Sequence, residues 1–128
     1  MPTIREITDG LRFPEGPVAM ADGSVVLVEI AAGEITRVAP DGSKSTIAKP
    51  GGGPNGAALG PDGRLYVCNN GGMNFHIIDG QHVPGHAHDD APLGWVEAID
   101  LSTGVSEVLY RDCGGVPLLA PNDLAFDA

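Results

Sequence analysis

Three segments of this chain begin alike. PEGPVAMADGSVVLVEI starts at Pro14, PNGAALGPDGRLYVCNN at Pro54 and PNDLAFDA at Pro121. Each opens on Pro followed by Glu or Asn and runs through a short apolar stretch to an Asp-containing turn or to the last residue. Behind the first two copies lie matching hairpin patterns, EITRVAPDGSKSTIAK (34–49) and GWVEAIDLSTGVSEVLY (94–110). Apolar residues alternate along both, with slips at the turns, as half-buried strands require. Each unit therefore reads as four short antiparallel strands. The first spans 40 residues, Pro14 to Pro54, and the second 67, Pro54 to Pro121. Four strands in about 40 residues is the pattern of a β-propeller blade.

The rest of the composition agrees with an all-β chain. With 19 glycines and 11 prolines among 128 residues, long helices are disfavoured and tight turns favoured. A hydrophobic content of 42% supports a core. The expected organisation is one domain: blade 1 at about 14–53, blade 2 at about 54–120 and the start of blade 3 at 121–128. Propellers have at least about four blades, so two and a half read as the N-terminal part of a longer chain, or as a half-propeller that assembles with copies of itself. TIREITDGL (3–11) reads as an outer strand for a final blade.

Seven basic against seventeen acidic residues give a net charge of −10. That balance disfavours nucleic acid and anionic membrane surfaces, and it suits cations. No apolar run approaches the roughly 20 residues that span a bilayer, and MPTIREITDG lacks the pattern of a secretory signal. The expected location is cytoplasmic. Cys68 and Cys113 have no CxxC spacing and read as reduced thiols.

Successive connections in an antiparallel blade alternate between its two ends. The turns MADGS, GPDGR, APDGSK and DLSTG fall at one end. Glu15, Asn55 and Asn122 start inner strands at the other, where propellers hold ligands around the central channel. A carboxylate in a proline-clamped corner is either a solvated turn acid or a ligand held at the rim of a site. As a ligand set, carboxylate and amide oxygens suit hard cations such as calcium, magnesium or manganese.

FPEGPVAMADGSVVLVEI, GPNGAALGPDGRLYVCNNGG and APNDLAFDA, in that order and spacing, resemble the senescence-marker-protein/gluconolactonase/luciferin-regenerating-enzyme (regucalcin-like) family, in its N-terminal part. The resemblance implies a six-bladed propeller, of which this chain is the first two and a half blades. It implies a divalent-metal-dependent hydrolase of sugar lactones or related esters. Glu15 matches the family's metal-binding Glu, and Asn122 matches an Asn that binds metal or contacts substrate. The general base and the remaining ligands are expected beyond Ala128, so the fragment alone is expected to be inactive and prone to self-association. The expected cofactor is Ca2+, with Mg2+, Mn2+ or Zn2+ as alternatives. The alternative function is a non-enzymatic propeller module that binds a protein or small ligand.

The insertion NNGGMNFHIIDGQHVPGHAHDDAPLG (69–94) carries all four histidines. His82, His86 and His88, followed by Asp89 and Asp90, have the residue types of a zinc site, but Pro84 and Gly85 break any helix that would align them. A lid over the substrate pocket is the favoured reading. Asn55, Asn69, Asn70 and His76 are the expected substrate-binding residues. No Gly-x-Ser-x-Gly elbow or phosphate-binding loop is present in the sequence.

Overall fold

The computed structural model describes residues 1–90 and 93–127. Positions 91 and 92 of the expected insertion, and position 128 of the expected third blade, lie outside the described residues. The fold is all-β, built from four-stranded antiparallel propeller blades. Blade 1 is a meander of β1 (Pro14–Ala19), β2 (Val25–Glu29), β3 (Glu34–Val38) and β4 (Lys44–Ala48). Blade 2 pairs β5 (Pro54–Leu59), β6 (Leu65–Asn69), β9 (Trp95–Ile99) and β10 (Ser106–Tyr110) in that order.

The turns explain why these strands end where they do. Asp22, Asp41, Asp62 and Asp100 each accept a backbone N–H two residues ahead at 2.8–3.1 Å, which closes an Asx turn. The two sheets stack face to face. Val26 and Val28 of β2, Ile35 of β3 and Ala48 of β4 meet Leu65 and Val67 of β6 and Ile99 of β9. All but Ala48 are fully buried. Alternation sends the next residues of each strand the other way. Val25 and Leu27 face the N-terminal segment across a mostly apolar cavity of about 430 Å3. Tyr66 packs edge-on against Phe126, with ring centroids 5.0 Å apart. The segment from Pro121 thus lies on the far side of blade 2.

Three features depart from the sequence expectations. The insertion is an ordered hairpin rather than a plain loop: β7 (Met73–Ile78) pairs with β8 (Gln81–Ala87). Its turn is Asp79-Gly80, both with positive φ, 51° and 78°, the backbone of a tight two-residue hairpin turn. A short second hairpin, β11 (Asp112–Cys113) with β12 (Val116–Pro117), follows β10. Residues 3–11 carry no strand. They run along blade 1, where Lys44 Nζ donates to the Asp9 carbonyl. Among the described residues, no helix is long and apolar enough to cross a membrane.

Candidate active site

The three repeat starts converge because small residues let them nest. Gly16, after Glu15, has φ +51°, and a Cβ there would lie 2.7 Å from Ala57 N and 3.1 Å from Asn55 O. Gly56, after Asn55, meets the third start in the same way: a Cβ would lie 2.5 Å from Asn122 O and from Asp123 Cα. Each glycine therefore seats the next corner against the one before. Glu15, Asn55, Asn122 and Asp123 consequently line one open pocket of about 220 Å3. The Asn55 amide donates through Nδ2 to Asn122 Oδ1 at 2.6 Å.

Each corner is also held from behind. Buried Glu29, at the end of β2, accepts Arg12 N–H and Thr36 Oγ1–H, both at 2.6 Å. Ile30 N–H donates to the Phe13 carbonyl at 3.0 Å. These bonds support Phe13 at φ +57°, a rare conformation for a bulky residue. Register puts Glu29 opposite Pro14 and Asn69 opposite Pro54, so Asn69 takes the corresponding position in blade 2. Asn69 Oδ1 accepts the N–H groups of Gly53 and Gly71, and Nδ2 donates to the Gly51 carbonyl and to Glu97 Oε1. At the third corner, Ala120 has φ +48° and donates its N–H to the Leu93 carbonyl at 2.9 Å. Backbone strain flanking two of the three repeat starts, each clamped by hydrogen bonds, is typical of sites that need fixed geometry.

The expected site residues divide. Glu15, Asn55 and Asn122 meet in the pocket. Asn69 does not: it is fully buried and its amide makes four hydrogen bonds within the chain. Asn70 lines a neighbouring hollow instead. His76 is exposed on β7, with its ring against Gly85 of β8, and is not among the pocket's lining residues. The hairpin nevertheless reaches the site, because Phe75 packs on Phe13 at 5.3 Å between ring centroids, two residues before Glu15. His82 packs edge-on to Phe75. Among the described residues, no group of three His, Cys, Asp or Glu gathers as a metal cluster, the histidine run included. Asp123 was missed in the sequence. Its signal was the repeat itself, which has Gly16 and Gly56 where the third copy has an acid.

The donor set fits a hard divalent cation. Glu15 offers a carboxylate. Asp123 Oδ1 takes the N–H of Leu124 at 2.8 Å, which leaves Oδ2. Asn122 Oδ1 keeps a second lone pair beside the one Asn55 fills. Among the described residues the pocket wall carries no sulfur or imidazole, and these oxygens match calcium or magnesium better than zinc. Burial, with the charge of Asp123 adding, pushes the Cys68 thiol pKa up.

No curated protein sequence matches the chain significantly. A solved gluconolactonase from Xanthomonas campestris superposes with a TM-score of 0.68 at 19% identity, over 91% of this chain and 32% of its own. The chain spans about a third of that relative's length, and the likeness is one of fold. The sequence profile of the SMP-30/gluconolactonase/LRE-like region matches residues 13–128, a stretch that begins at the strained Phe13 and contains all three nested corners. The chain belongs to the SMP-30/gluconolactonase/LRE-like family.

Proposed function

We propose that this chain supplies part of the active site of a divalent-metal-dependent hydrolase acting on lactones or related esters. The observation that carries this reading is the convergence of Glu15, Asn55, Asn122 and Asp123 on one pocket within a gluconolactonase-type fold. Glu15, Asn122 and Asp123 would hold the cation, most suitably calcium. When bound, such an ion polarises a carbonyl and lowers the pKa of a water.

The chain's own residues do the rest of the positioning. Glu15 and Asp123 bring negative charge to an open pocket. Asn122 Oδ1 fixes the Asn55 amide by accepting its Nδ2–H, so Asn55 presents its own carbonyl oxygen in one orientation toward substrate. The hairpin β7–β8 stands at the approach to Glu15 through Phe75 and limits access. Calcium takes about six to eight oxygens. The ligands beyond these three, and the general base, are assigned to water, to substrate and to further blades of the intact protein.

Glu15→Gln in the intact protein tests the reading, because it removes charge and keeps shape. Calcium affinity, measured by calorimetry, and lactone turnover should both fall at least about tenfold, the effect of losing one charged ligand bond. Unchanged affinity and turnover would take Glu15 out of the site and favour a non-catalytic binding module.

A further inference from the structure

Glu97 is a carboxylic acid enclosed between the two blades. It stands on β9, opposite Val67 of β6 and Val108 of β10 in register, and is only 2% exposed. Val67 belongs to the inter-blade core, so this face of β9 is turned to blade 1. None of the ion pairs among the described residues involves Glu97. An acid buried without a cation costs free energy unless it is hydrogen-bonded, and packing alone would be served at least as well by a leucine. Two side chains bond it. Ser106 donates its hydroxyl to Oε2, and Asn69 donates Nδ2–H to Oε1 at 3.0 Å.

The bond to Asn69 leads to the site. The other three partners of the Asn69 amide are glycine backbone groups: Gly51 and Gly53 of the linker between the blades, and Gly71 of the turn after β6. Glycine has little conformational preference of its own, and Gly51 and Gly52 both have positive φ, 74° and 61°. The linker therefore takes its shape from what holds it. A Cβ on Gly52 would lie 2.4 Å from Asn69 Oδ1, so the linker is seated directly on this amide. Glu97, by contrast, lies on a strand paired on both sides. It ties the amide to the sheet, and it opposes a reversed amide, which would present oxygen to oxygen there. Pro54 and Asn55 follow Gly53 at once, and Asn55 lines the Glu15 pocket. We propose that Glu97 is a positioning residue for that pocket: through Asn69 it sets the linker 51–53, and with it the direction of the Asn55 amide. Its effect on substrate rests on the hydrolase reading above.

The test uses the intact protein and three variants. Glu97→Leu keeps the bulk and removes the acceptor. Glu97→Asp keeps the carboxylate and draws it back by one methylene, a second route to the same loss where the leucine variant fails to fold. Glu97→Gln keeps an acceptor for Asn69 and a donor that Ser106 Oγ can take. KM for a lactone should rise about tenfold or more in the leucine and aspartate variants, with kcat within about threefold, the pattern of lost substrate binding. Exchange of the Gly53 amide proton, followed by NMR, should quicken about tenfold or more in the same two, and the Asn55 side-chain amide resonance should shift. Glutamine should restore all three readouts. A merely structural role would lower Tm and leave the KM of the folded enzyme unmoved. Wild-type KM in the leucine and aspartate variants, or equal losses in all three variants, would overturn the proposal and leave the hydrolase reading standing. If the intact protein hydrolyses no lactone, the NMR readouts decide. Changes at Gly53 and Asn55 that glutamine restores then keep Glu97 in its positioning role and sink the hydrolase reading, whereas unchanged signals sink both.

Discussion

Asn55 and Asn122 lie 67 positions apart in the chain, yet the amide of one donates to the amide oxygen of the other at 2.6 Å. The bond ties the start of β5 to the third repeat across the mouth of the pocket. Asn55→Ala and Asn122→Ala should each weaken calcium binding, and the double variant should lose less than the sum of the two. A coupling of about 0.5–3 kcal/mol is expected for partners in direct contact. Calorimetric titration of the four proteins of this cycle measures it, and additive losses would mean that the pair is incidental.

Gly56→Ala should damage the site more than the fold. Its φ is not in the left-handed region, so the backbone tolerates alanine, but the new methyl overlaps Asp123 and lies 2.5 Å from Asn122 O. The third corner must move away. Gly16→Ala adds strain at φ +51° to a clash with backbone, and it should cost stability as well, by more than about 1 kcal/mol. Thermal melts and calcium titrations run side by side separate the two outcomes. Equal loss of Tm in both variants would contradict the distinction.

The inter-blade core should respond as a single packed unit. Ile35→Ala removes a fully buried side chain from between the two sheets. A loss of about 2–5 kcal/mol is expected for such a truncation, read from denaturant midpoints. A loss under about 1 kcal/mol would mean that the sheets are not packed as described.

Acid should loosen the end of the blades opposite the pocket. Hydrogen bonds from Ser24 to Asp22 and from Ser43 to Asp41, and from Arg64 to Asp62, hold those carboxyls below their ordinary value of 3.8. Bonds from Ser102 and Thr103 bring Asp100 to about 2. A folded-state pKa below the unfolded one stabilises fully above the unfolded value, and that contribution is lost as pH falls through the folded one. Stability should therefore decline from about pH 4 toward pH 2. Asp100→Asn should differ from wild type in Tm at pH 6, and the difference should shrink toward pH 2. A difference constant across that range would rule out the turn carboxylate as its source.

Legibility in the sequence followed locality. The blades were readable because Asp-Gly turns and alternating valines and isoleucines act over a few residues, and these set β1–β4 and β5, β6, β9 and β10. The corner residues were readable because Pro-Glu and Pro-Asn recur. The β7–β8 hairpin was within reach, since Asp79-Gly80 between apolar residues is a strong turn signal, but Pro84 within the second run argues against a strand there. Asn69 could not be sorted from Asn70. Adjacent strand-end residues differ in direction, and only the register with Pro54 sends the Asn69 amide into a clamp of four hydrogen bonds while Asn70 Oδ1 takes one, from Gly72 N–H. Asp123 stands in the third repeat where the first two have Gly16 and Gly56, which the sequence does show, but its place beside Gly56 comes from a pairing of distant segments.

Nesting of the corners has a consequence for how such a chain tolerates change. The third corner takes its position from the second at Gly56, and the second takes its position from the first at Gly16. Neither takes it from the length of chain in between. The second repeat is 67 residues long against 40 for the first, with the β7–β8 hairpin inserted between β6 and β9, yet Asn122 still lands on Asn55. Insertions and deletions at the rim are therefore geometrically silent at the axis, and the periphery is free to diversify around a centre that keeps its own spacing.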